Sequence, residues 1–343
     1  MKMKLWFQSI RDASFRDSPR FAPLTLAQNV TSPFESSGGT LEDESSGMAA
    51  VRSLINPSSL RIAALLAVFA AAAAYAITLA PSGWGTAIPT STLILGLLAG
   101  LHGASYGAYK DSPFECFLPR RFVRELAIAA LVAVTLAGFH LADSESPFVL
   151  FVSIFALTRI ISEFWKLFVR IEPQEDYRIP TQFHCVTGVV HHPLLRLLAG
   201  AGFLGAIYGA YCLSKLLPRD FPLEVTGAIV GGGFGLVEAI AGAYKDGSME
   251  GFFFRKFLKS PTFGAIGGFI ASWHTQSLIF LLLAAYGSCR MFLELFFKMI
   301  RRDYSPGKFS TTVGSFTEWT LRKKYFLVPY VATWLIYLAI LLR

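Results

Sequence analysis

Gly107-Ala108-Tyr109-Lys110-Asp111-Ser112-Pro113-Phe114-Glu115 is written into this chain twice: 135 residues later stands Gly242-Ala243-Tyr244-Lys245-Asp246-Gly247-Ser248-Met249-Glu250. The match runs on through Phe117/Phe252, Arg120/Arg255, Arg121/Lys256, Phe122/Phe257 and Arg124/Lys259. Of the eighteen positions from Gly107 to Arg124, nine are identical and two more keep a basic residue. A fixed offset of this kind marks an internal duplication. Upstream, Gly96 and Gly100 correspond to Gly231 and Gly235. Downstream, Phe139-His140 corresponds to Trp273-His274, and Arg159…Glu163 to Arg290…Glu294 at an offset of 131. The connectors also agree, with Asp176-Tyr177 answering Asp303-Tyr304.

The duplicated unit is apolar. Hydrophobic residues make up 53% of the chain and charged residues 16%, against roughly 25% charged in an ordinary soluble domain. Mean hydropathy is +0.49. Runs of about 20 apolar residues, enough to cross roughly 30 Å of hydrocarbon, account for the deficit. The net charge of +8 lies in short loops between those runs, where it sets topology, and no separate basic face or aromatic platform suits nucleic acid. Cys116, Cys185, Cys212 and Cys289 are scattered without metal or redox spacing, so no disulfide framework is expected.

Nine spans are expected. The first is Leu60–Ala80, followed by spans at about 90–109, 126–142 and 147–170. The second set falls at about 194–217, 224–244, 261–274 and 277–300, and an unpaired ninth span covers Tyr325–Leu342. The segment from Lys110 to Glu125, rich in aromatic and basic residues, is expected to form an interfacial amphipathic helix. Residues 1–53 read as a largely disordered region carrying a candidate interfacial or targeting segment, since Ser32–Gly47 is rich in Ser, Gly and acidic residues. Residues 54–183 form the first repeat, 193–309 the second, and 310–343 a basic connector with the ninth helix. The fold class is thus an all-α polytopic membrane protein of two four-helix repeats plus one helix. Four spans per unit bring both copies in from the same side, which makes them parallel repeats about a pseudo-twofold along the membrane normal. Basic loops around Arg120, Arg255 and Arg301 against the acidic loop at Asp143 and Glu145 put the N-terminus on the cytoplasmic side, or the matrix or stroma side of an organelle, and the C-terminus opposite.

Glycines at near four-residue steps, Gly96, Gly100 and Gly107 with Gly227, Gly231 and Gly235, make smooth helix faces for close packing. They predict that the second and sixth helices meet near the pseudo-twofold axis. Lys110, Asp111 and Glu115, with Lys245, Asp246 and Glu250, sit where those helices leave the membrane. They serve either as snorkelling and capping charges or as a cytoplasmic gate or head-group site. Arg159/Glu163 and Arg290/Glu294, four residues apart inside spans, form either in-helix ion pairs that lock the bundle or the lining of a polar path. Glu238 joins them as an intramembrane charge with no counterpart in the other copy. His140 and His274 are weak metal candidates, more often the anchors of helix ends.

No nucleotide loop, zinc motif or nucleophile elbow is present, so no enzyme constellation and no cofactor are expected. The bilayer is the expected partner, along with other membrane proteins, and the oligomeric state is left open. The residues point to a transporter or channel-like protein with a polar path near the repeat interface, and alternatively to an accessory subunit or assembly factor of a membrane complex.

Overall fold

A computed structural model of the chain describes residues 88–343 apart from 172–173, 175–176, 178–179, 186–187, 217–220 and 297–315. The side chains of 88–89 and 245–250 are also outside the described set. The first span and the region 1–53 therefore lie outside the described residues.

The described chain is mostly helical. Its helices are α1 (Ile88–Glu115), α2 (Pro119–Gly138), α3 (Pro147–Phe164, continued by a π-helical turn over Trp165–Val169), α4 (Pro193–Ser214), α5 (Leu223–Glu250), α6 (Phe254–Ala271), α7 (Leu278–Leu293), the short α8 (Thr317–Arg322) and α9 (Leu327–Leu341). A two-stranded antiparallel hairpin, His184–Cys185 with Gly188–Val189, precedes α4. Among the described residues five stretches are long and apolar enough to cross a membrane: Pro147–Val169, Pro193–Ser214, Leu223–Tyr244, Leu278–Phe296 and Thr317–Leu341. They fit an integral, multi-pass membrane protein.

Local chemistry sets the breaks between helices. α1 does not stop at Lys110 but continues through Pro113 to Glu115. The chain then reverses over three residues, with Cys116 at φ 59° and Leu118 extended, as the residue before a proline prefers. Pro119 then opens α2 at a position that needs no N–H partner. The separate interfacial helix expected from Lys110 to Glu125 is thus divided between the end of α1 and the start of α2. α2 ends in a Schellman motif. Leu141 N–H reaches Leu136 O at 2.9 Å, His140 N–H reaches Ala137 O at 3.0 Å, and His140 takes the left-handed position at φ 55°. Ser146 caps α3, its hydroxyl accepting from Val149 N–H at 3.3 Å.

α3 is the centre of the bundle. Phe148, Val149, Phe151, Val152, Ile154, Phe155 and Ala156 are all fully buried, so the first half of the helix is mainly apolar and packed on every side. It contacts α1, α2, α7 and α9, whereas α5 packs on α6 and α7. α9 fills the core beside α1: Tyr330, Thr333 and Tyr337 are buried, and His102 Nδ1 lies 2.9 Å from Thr333 Oγ1. α4 is the exception, with only 6% of its apolar window buried within the chain.

The glycine faces of α1 and α5 meet the next helix in sequence and not each other. A Cβ at Gly96 would press on Ala129 and Ala133, and one at Gly100 on Glu125 and Leu126. In the other half, Gly227 meets Gly268, Gly231 meets Gly264, and Gly235 meets Ser260 and Pro261. Residues 96 and 129 correspond to 231 and 264, and residues 100, 125 and 126 to 235, 260 and 261, all at the offset of 135. Gly107 faces open space. Gly287 on α7 lies against Val152 and Ala156 on α3, and 156 and 287 are separated by the same 131 residues that separate Arg159 from Arg290.

Candidate functional site

The helix ends that converge at Lys110 enclose a cleft of about 230 Å³. α1 contributes its last three turns, α2 its first, and α3 the run from Arg159 to Leu167; Arg290 reaches in from α7. Seven basic side chains and four carboxylates line it.

At the mouth the charges pair locally. Arg121 Nη1 donates to Glu115 Oε2 at 2.5 Å, and Lys110 Nζ sits 3.6 Å from Asp111 Oδ1. Lys166 donates to Glu163 Oε1 at 2.9 Å. Glu125, buried on α2, accepts from Ser162 Oγ at 3.0 and 3.1 Å and from Arg124 at 3.2 Å. The partner charges Lys245, Asp246 and Glu250 stand in the last turns of α5, and their side chains lie outside the described residues.

Deeper in, Arg159 and Arg290 come together with three carboxylates. Arg159 lies 3.8 Å from Glu163 and, across the α3–α7 contact, 4.0 Å from Glu294. Arg290 lies 3.7 Å from Glu294 on its own helix and donates to Glu238 Oε1 on α5 at 2.5 Å. Glu294 is buried, and neither of its carboxylate oxygens has a hydrogen-bond partner. The Nε atoms of Arg159 and Arg290 are buried and unpartnered as well. Charges this far from water are held only where opposite charges or polar groups compensate them. The spacing of four predicts the in-helix pairs; it does not reveal that Glu294 bridges two helices.

Arg121, from the repeated stretch, belongs to the cleft, and so do Glu125 and Lys166, which have no matching charge in the other copy. Glu125 carries a usable signal: its counterpart at offset 135 is Ser260, the same one-sided charge that marks Glu238. The two histidines lie apart from this cluster. His140 is exposed on the Schellman turn, 2.9 Å from Asp143. His274, half-buried between α6 and α7, packs its ring on Phe148 with centroids 4.8 Å apart. Among the described residues no group of three His, Cys, Asp or Glu side chains is arranged to hold a metal ion.

Burial pushes the His274 imidazole below its ordinary value of 6.5. The unfolded chain therefore takes up this proton first on acidification. The stability contributed by neutral His274 is fully present above about pH 6.5 and is lost as the pH falls through the lowered value. His274→Phe is expected to keep the contact with Phe148 and to flatten the decline in melting temperature between about pH 7.5 and about pH 5. Parallel melts of the two proteins check this; identical slopes would count against it.

Comparison with protein-family models, curated proteins and solved structures gives no match.

Proposed function

We propose that this chain is a transporter or channel-like protein, built as two parallel four-helix repeats plus one helix, in which the cleft is the open end of a polar path. One observation carries the reading. A cleft with eleven charged lining residues enters among the spanning helices and ends at Arg159 and Arg290, the two residues that the duplication relates to each other. Intramembrane charges grouped at the junction of two repeats are what a coupled path requires. On the far side of Gly103 and Arg159 the buried residues are mainly apolar, among them Leu95, Leu98, Phe148, Phe151 and Phe155. A path open at one end and sealed at the other is one of the two states of an alternating-access carrier.

Reconstitution into liposomes tests the reading, with a panel of inorganic and organic ions assayed for flux. Arg159→Gln is expected to lower flux by at least about tenfold, with the protein still folded. A wild-type protein that moves no ion, or an Arg159→Gln protein that moves ions as fast, would sink it.

A second reading, an accessory subunit or assembly factor, is favoured by α4. This helix presents Leu194, Leu197, Leu204, Tyr208 and Leu213 outward, a surface that suits another membrane helix as well as lipid. Native mass spectrometry showing a stoichiometric protein partner, together with silent liposomes, would select it.

A further inference from the structure

The two arginines at the end of the cleft are equivalent by sequence and unequal in their partners. Arg290 on α7 is closed by Glu238 on α5, at 2.5 Å. Subtracting 131 from the first residue and 135 from the second turns that pair into Arg159 and Gly103. Gly103 has no carboxylate to offer. Both residues line the cleft.

Among the described residues Arg159 keeps only longer contacts, at 3.8 Å to Glu163 and 4.0 Å to Glu294, and its buried Nε has no hydrogen-bond partner there. A guanidinium so placed, with an unpartnered Nε at the inner end of a cleft, is best satisfied by a planar, bidentate acceptor. Nor does packing force a glycine at 103. A Cβ there would meet the Phe155 ring at 3.5 Å, an ordinary contact, unlike the backbone overlaps at Gly231 or Gly268. The ring position is itself part of the correspondence, because Phe155 plus 131 is Tyr286. The second half thus shows what the first half lacks: a carboxylate against the arginine.

We propose that Arg159 anchors a carboxylate brought by a ligand, which takes the place beside Arg159 that the Glu238 side chain takes beside Arg290. This rests on the reading of the cleft as a substrate path and names the class of substrate: a carboxylate-bearing small molecule. The basic excess of the lining, seven against four, favours an anion throughout the cleft. The same head group occurs on soluble acids and on fatty acids, and both fit this chemistry.

The test uses the full chain in nanodiscs, melted with sodium succinate, with nanodiscs doped with oleate, and with sodium chloride and phosphate at matched ionic strength. Wild type is expected to gain about 5 °C near a hundredfold excess of one of the two carboxylates over its dissociation constant, the gain rising with the logarithm of concentration. Succinate identifies a soluble ligand and oleate a lipid one. Gly103→Glu, which supplies the carboxylate from the chain itself, is expected to melt at or above ligand-free wild type, above Gly103→Gln, and to lose the response. Arg159→Gln is expected to lose the response too. The proposal is overturned if neither carboxylate shifts wild type or if chloride or phosphate shifts it equally. It also fails if Arg159→Gln still responds, or if Gly103→Glu melts below Gly103→Gln. Flux is read separately. A carboxylate response that Arg159→Gln abolishes, in a protein that moves no ion, keeps the anchor and removes the transporter; flux without any carboxylate response does the reverse.

Discussion

Arg290→Met is expected to cost about 3–5 kcal/mol, because it strands two carboxylates that share one guanidinium. Glu238 would lose the 2.5 Å hydrogen bond, and Glu294, already without a hydrogen bond to either oxygen, would keep only Arg159 at 4.0 Å. Met fills nearly the same volume, so the loss reports charge and not a cavity. A double-mutant cycle separates the terms. Glu238→Gln alone leaves Arg290 with Glu294 and is expected to cost less than Arg290→Met. Adding Glu238→Gln to Arg290→Met is expected to recover part of the loss, since one uncompensated charge is then removed. Denaturant titration in mild detergent measures all three variants. Equal stability of Arg290→Met and wild type would mean that water, and not Arg290, solvates these carboxylates.

The second large effect is steric. Gly268→Ala is expected to destabilise by about 3 kcal/mol, at the upper end of overpacking costs. The added methyl overlaps the carbonyl oxygen of Gly227, and one turn along, Gly231 and Gly264 each block a methyl on the other. Backbone on both sides of a contact cannot step aside as a flexible side chain would. The helices must separate, which loosens every contact along them. Gly233→Ala, which meets nothing within 4 Å, is the matched control, expected to be neutral or to gain up to about 1 kcal/mol from helix propensity. If the two variants melt alike, α5 and α6 are not as close as described here.

The glycine faces illustrate what a sequence can carry. Recurrence at four-residue steps says that one side of a helix is smooth, and α1 and α5 do use that side. Periodicity names a face but not its neighbour, so Gly96 and Gly231 were expected to bring α1 and α5 together; each instead seats the helix that follows it. The mostly helical, multi-span character was legible from the apolar runs. Helix boundaries at Lys110–Glu125 were not, because charges inside a continuing helix look like an interface, and only Leu118-Pro119 holds the real break. Arg159, Glu163, Arg290 and Glu294 could be picked out because both copies carry them. Their joining through Glu294 depends on how α3 meets α7, which spacing within one helix does not encode. Residues present in one copy, such as Glu125, show up by offset only as a charge without a counterpart, which says nothing of their partners. α9, with no counterpart, reads as an appendage although Tyr330 and Tyr337 sit in the core.

That last helix has a consequence for the order of assembly. His102 and Thr333, bonded at 2.9 Å, are 231 residues apart, and the Tyr330 ring stacks on His102 with centroids 4.7 Å apart. α1 to α3 leave the ribosome long before α9 exists, and until it arrives the flank of α1 that receives Tyr330 and Thr333 lacks that helix. At about 5–20 residues per second, that interval lasts on the order of ten seconds or more. Throughout it the His102 imidazole is without its Thr333 hydrogen bond, so the packing around α1 is completed only by the last helix of the chain.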